Sequence, residues 1–141
     1  MKIRIYYDEI NYRLRNSKVI INLIREVIRK HLNSNGNLSF IFTNDKGIRK
    51  INSEFIGHDY FTDVIAFNYN TDGDLDGEVY ISIDTVKRNA NNYKVSLRNE
   101  VMRVMIHGTL HLCGKDDSTK NERKEMRKME DKWLNRLEEK K

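Results

Sequence analysis

The hydrophobic positions of this chain change period several times, and each change marks an element. Lys2-Ile3-Arg4-Ile5-Tyr6 alternates polar and apolar residues, which predicts a first strand with Ile3 and Ile5 turned to the core. From Val19 the apolar residues Ile20, Leu23, Ile24, Val27, Ile28 and Leu32 recur three and four apart, predicting an amphipathic helix from about 18 to 32 with Ser17 as its N-cap. Asn35-Gly36-Asn37 reads as a turn, and Leu38 to Thr43 as a second strand. Asn44 or Asp45 should cap a short helix reaching Phe55. A loop at Gly57-His58-Asp59-Tyr60 leads into an expected buried strand from Thr62 to Phe67. The polar stretch from Asn68 to Gly77 should be a hairpin connection, followed by a strand from Glu78 to Ile83 and a helix capped by Asp84 that runs to about Tyr93.

Two further helices complete the pattern. From about Ser96 to Cys113, Leu97, Val101, Val104, Met105 and Leu112 make one apolar face, while Met102, Ile106, Leu110 and Cys113 nearly cover the opposite one. Such a helix is buried. Its remaining polar strip holds Glu100, Arg103, His107 and His111, and Gly108 falls on the apolar side, where a missing side chain permits close packing on a strand. Thr119 and Glu122 form a capping box for a last helix, with Met126, Met129, Trp133 and Leu137 at core spacing. The fold class is therefore α+β: one domain over residues 1–141, with a small mixed sheet of about four strands packed against about five helices, one of them central and buried.

Composition narrows the partners. The 141 residues carry 38% hydrophobic side chains, enough for one core, and no run approaches the ~20 apolar residues of a membrane span. Residues 1–6 show no apolar run of signal length, so a cytoplasmic location with no membrane contact is expected. A net charge of +5 and a pI near 9.3 fit a polyanionic partner such as RNA. The pattern leaves the oligomeric state open. One cysteine excludes an internal disulfide, and Cys113 reads as core. His31, in the last turn of its helix, reads as a residue favoured by the helix dipole rather than as a ligand. Asp72, Asp74 and Asp76 alternate like the start of a calcium loop, but the twelfth position is Ile83 where a glutamate is required.

The candidate chemistry lies at the end of the buried helix. His107 and His111, four apart, lie on one helix face with their rings a turn apart, close enough for one ion. Gly114 can take the left-handed conformation that stops a helix, and Asp117 is the residue best placed to turn back toward the histidines. Two imidazoles and one carboxylate leave a coordination position open, the pattern of a catalytic rather than a structural zinc site. The spacing matches the metzincin proteases as well, but their general-base glutamate is replaced by Gly108, which has no side chain to accept a proton.

The segments His107-Gly108-x-Leu110-His111-Leu112-x-Gly114-x-Asp116 followed by Asp117, Thr62-Asp63-Val64 and Gly77-Glu78-Val79 resemble the YbeY family of bacterial rRNA maturation factors over most of the chain. The resemblance implies a single-domain zinc protein binding one Zn2+ through His107, His111 and Asp117. It implies a single-strand endoribonuclease acting in 16S rRNA 3′-end maturation and ribosome quality control, with rRNA or a ribosomal subunit as partner. A zinc-stabilised assembly factor without catalysis is the alternative. The family pattern carries a third histidine and a tyrosine where this chain has Asp117 and Lys115, and an arginine where it has Ile56. Asp117 remains a competent ligand and lowers the site charge by one unit. His58 is the nearest polar substitute for the arginine. No residue type marks the catalytic group, and either a metal-bound water or the RNA 2′-hydroxyl is open as nucleophile.

Overall fold

The computed structural model describes residues 1–32, 35–56, 62–70 and 74–139. The chain runs β1 (Lys2–Tyr7), α1 (Ser17–Leu32), β2 (Gly36–Thr43), α2 (Asp45–Ile51) continued by a π turn (Asn52–Ile56), β3 (Val64–Asn68), β4 (Leu75–Ser82), α3 (Ile83–Tyr93), α4 (Leu97–Leu112) and α5 (Lys120–Glu139). The four strands form one mixed sheet in the order β1-β2-β4-β3. β1 and β2 run parallel, as do β2 and β4, whereas β3 pairs antiparallel with β4. Parallel neighbours need a crossover, which α1 supplies between β1 and β2, while the antiparallel pair is the expected hairpin. The α+β class, the sheet and the five helices follow the hydrophobic pattern.

The boundaries depart from that pattern where a side chain reaches across the chain. Asn44 is the N-cap of α2, accepting from the Gly47 amide. Ser17 is the first residue of α1 rather than its cap; Asn16, with φ at +51°, precedes it. Gly36 and Asn37, expected in a turn, open β2 opposite Leu75 and Asp76, so β4 starts earlier than Glu78 and takes up the end of the supposed loop. Asp74 and Asp76 thus belong to the hairpin, and Asp72 lies outside the described residues. At the other end of β4, Ser82 rather than Asp84 caps α3, and Ile83 moves from strand to helix. Asp84 instead accepts the Asp45 amide, while Asp45 accepts hydroxyls of Ser82 and Thr85 and the Arg88 guanidinium. This polar tie joins α2 to α3. The loop at 57–60 also falls outside the described residues.

α4 is the centre of the molecule, touching α1, α3, α5, β3 and β4. Its residues Val101, Met102, Val104, Met105, Ile106, Leu110 and Leu112 are all buried, on both sides of the helix. The buried Thr109 hydroxyl donates to the Met105 carbonyl one turn back, which satisfies it without a partner from the core. Gly108 meets β4: a Cβ there would lie 2.7 Å from Val79 Cγ1, so only glycine lets the helix rest this close on the strand. Cys113 is free and buried, and burial pushes its thiol up to about 11. His31 accepts a hydrogen bond from the Trp133 indole at 3.2 Å, and burial holds its pKa below the usual histidine value. The ring packs edge-on against Trp133 of α5.

Candidate metal centre

The helix that carries the histidines ends by the mechanism expected at Gly114. The Gly114 amide donates to the His111 carbonyl and the Lys115 amide to the Leu110 carbonyl, the paired bonds of a Schellman cap. Gly114 has φ at +90°, a conformation that an L side chain rarely adopts. No neighbouring atom crowds the position. The glycine is therefore required by its backbone angle and not by lack of space. This reversal brings Asp117 back over the last turn of α4, and the Thr119–Glu122 capping box then starts α5, with both reciprocal bonds formed.

Three donors converge as a result. His107 Nε2 and His111 Nε2 are 3.0 Å apart, and Asp117 Oδ2 is 3.4 Å from each. For ligands about 2.0–2.1 Å from a tetrahedral ion, the donor–donor separation is roughly 3.3 Å. The three atoms thus fit one face of such a tetrahedron, leaving a fourth vertex for another ligand. The side chains of His107 and His111 are 23% and 28% exposed and that of Asp117 is 37% exposed, so the open vertex faces a surface cleft rather than the core. Among the described residues these three are the group close enough to bind a metal.

A second set of residues holds the first in place. Glu130 on α5, only 6% exposed, accepts from His107 Nδ1 at 2.7 Å through Oε2 and from Arg103 at 2.9 Å through Oε1. The other arm of Arg103 donates to Asp131 at 2.6 Å. An ionised carboxylate can only accept, so the His107 proton sits on Nδ1 and the Nε2 lone pair faces His111 and Asp117. Burial pushes the His107 pKa down, but the Glu130 hydrogen bond and the charges of Glu130, Asp117 and Asp63 more than offset it, leaving it above the usual value. Burial raises the carboxyls of Asp63 and Glu100 above their ordinary range, with His107 and Arg103 respectively opposing the shift. Together with Asp117 and Glu130 they line a cleft of about 610 Å³, which Arg103, Arg123 and Arg127 line as well.

The polar strip on α4 brings Arg103, His107 and His111 together beside Glu130 and Asp117. Glu100, however, is buried at 4% exposure. Glu130 went unnoticed among the charges of α5, although it lies four residues after Met126 and seven before Leu137, both buried. An acid on a core stripe was the signal. His58 lies outside the described residues, and Ile56 ends the π turn. Gly108 gives its side to Val79, so the protease-like spacing here serves helix packing and supplies no general base.

The fold and cluster define a class: an α+β protein with a mixed sheet whose central helix carries two histidines that, with a returning aspartate, are close enough to bind one metal ion. The family model described as Endoribonuclease YbeY matches residues 5–138, and the chain belongs to that family. A relative named Endoribonuclease YbeY from Chlorobaculum tepidum is 44% identical over 119 residues, covering 84% of this chain and 87% of its own. One of the same name from Amoebophilus asiaticus is 43% identical over 132 residues, covering 92% and 90%. The solution structure of TM1509 from Thermotoga maritima is 29% identical, with a TM-score of 0.66, and the match covers 96% of this chain and 88% of that one. No helix among the described residues is long and apolar enough to cross a membrane.

Proposed function

We propose that this chain is a zinc-dependent endoribonuclease that cleaves single-stranded RNA in 16S rRNA 3′-end maturation and ribosome quality control, with His107, His111 and Asp117 as the ligands of one Zn2+. The observation that carries the reading is the three-donor face with its open vertex, in a chain whose relatives are named endoribonucleases. Nitrogen and carboxylate donors suit zinc, and two imidazoles with one carboxylate are a known catalytic set. When bound, the ion supplies a Lewis acid for a phosphodiester oxygen and a more acidic water. The protein's own residues do the rest. Glu130 orients His107, the cleft beside the open vertex admits a strand, and Arg123 and Arg127 offer guanidinium groups to its phosphates. A substrate in the ribosome places the activity in the cytoplasm, and residues 1–141 act as one domain.

Bound metal and cleavage of a single-stranded 16S rRNA 3′-end fragment test this together, for the parent, Asp117→Ala and a chelated sample. The parent should hold one zinc and cleave, and both other samples should lose metal and activity. Full zinc content in Asp117→Ala would remove Asp117 from the ligand set. A parent that binds zinc and ribosomal RNA yet never cleaves is instead the non-catalytic assembly factor.

A further inference from the structure

Large hydrophobic side chains left in water are informative when they gather at a site. Tyr93 is 57% exposed and Val95 is 40% exposed, and both line the cleft that holds His107 and Asp117. The chain between them is turned to put them there. Lys94, at φ +57° and ψ +42°, takes the left-handed conformation unusual outside glycine, and the Val95 amide closes the turn on the Ala90 carbonyl. Asn89, one helical turn before Tyr93 on the same face of α3, lines the cleft as well. Among the described residues neither the Tyr93 ring and hydroxyl nor the Asn89 amide has a partner.

We propose that Tyr93, Val95 and Asn89 form a subsite for one nucleobase of the RNA strand, next to the metal centre, with Arg127 of the same cleft taking an adjoining phosphate. The proposal rests on the RNA-cleaving reading above. An exposed aromatic face offers stacking to any base, and a free side-chain amide offers one donor and one acceptor to a base edge. Val95 supplies apolar contact in the same cleft. A guanidinium in the same cleft answers the backbone charge that accompanies each base. A small acidic ligand would not need the aromatic wall, and an apolar peptide would leave the cleft's charged side chains unanswered.

The test is binding of a short fluorescent single-stranded RNA to the zinc-loaded protein, for the parent, Tyr93→Ala and Tyr93→Phe, with cleavage read separately. Stacking on one aromatic is worth about 5- to 150-fold in affinity, so Tyr93→Ala should bind roughly tenfold more weakly at unchanged zinc content, and Tyr93→Phe should restore binding. Replacing single nucleotides by abasic ones should find one position that weakens the parent by a similar factor and has no further effect on Tyr93→Ala. Equal affinity of Tyr93→Ala and parent, or no abasic position whose effect vanishes in that variant, overturns the subsite. Absence of cleavage by the parent would count against the endoribonuclease reading, while the affinities would still decide the subsite.

Discussion

Glu130→Gln separates geometry from charge at the metal centre with one atom changed. The glutamate uses both oxygens as acceptors, one for His107 Nδ1 at 2.7 Å and one for Arg103 at 2.9 Å. Glutamine has one acceptor and one donor, so it cannot serve both. If its oxygen stays with Arg103, its amide donates to Nδ1 and drives the His107 proton to Nε2, the nitrogen that faces His111 and Asp117. If its oxygen stays with His107, two donors confront each other at Arg103. Either arrangement weakens the ligand, and loss of such an outer partner typically costs 10- to 100-fold in metal affinity, about 1.4–2.7 kcal/mol. Zinc affinity by competition with a chelator measures this, and nitrogen chemical shifts of His107 read the tautomer. A Glu130→Gln protein that binds zinc within about twofold of the parent would refute the reasoning. So would a metal-free parent whose His107 proton resides on Nε2, a result that needs no variant.

Two other expectations concern the scaffold. Gly108→Ala should gain about 1 kcal/mol of helix propensity but lose about 1–3 kcal/mol to a Cβ placed 2.7 Å from the stiff, fully buried Val79; a net loss in denaturant unfolding, relieved when Val79→Ala is added, is expected, and a variant as stable as the parent would contradict the packing. Asp45 is partly buried, which alone would raise its pKa, but hydrogen bonds from Thr85, Ser82 and Arg88 hold it below the usual aspartate value. A depressed folded pKa gives stability that is present above the unfolded value of about 3.9 and is lost as the pH falls through the folded one. The deficit of Asp45→Asn in thermal unfolding should therefore be full near neutrality and shrink in acid, and a deficit independent of pH would refute it.

Elements with a strong period were legible because burial alone decides them. α1 and α4 show their buried faces in the spacing of Leu, Ile, Val and Met, and the capping box at Thr119 needs only its own four residues. Short polar joints were not legible, since their partners are distant in sequence. The cap of α3 passed from Asp84 to Ser82 as Asp45, from another helix, claimed the Ser82 and Thr85 hydroxyls and gave its amide to Asp84. The start of β4 was hidden by Asp76, which looks like a loop residue until Asn37 of β2 pairs with it.

The same division runs through the metal centre. His107, His111, Gly114 and Asp117 lie within eleven residues, and a helix period followed by a left-handed stop brings them together under purely local rules, so their meeting is written in the sequence. What surrounds them depends on α5 and α3 docking against α4. Only that packing sets the Glu130 carboxylate against His107 from 23 residues away and turns Tyr93 and Val95 into the cleft. Hydrogen-bond direction and desolvation act through space, and no spacing along the chain encodes which distant acid a partly buried imidazole will meet.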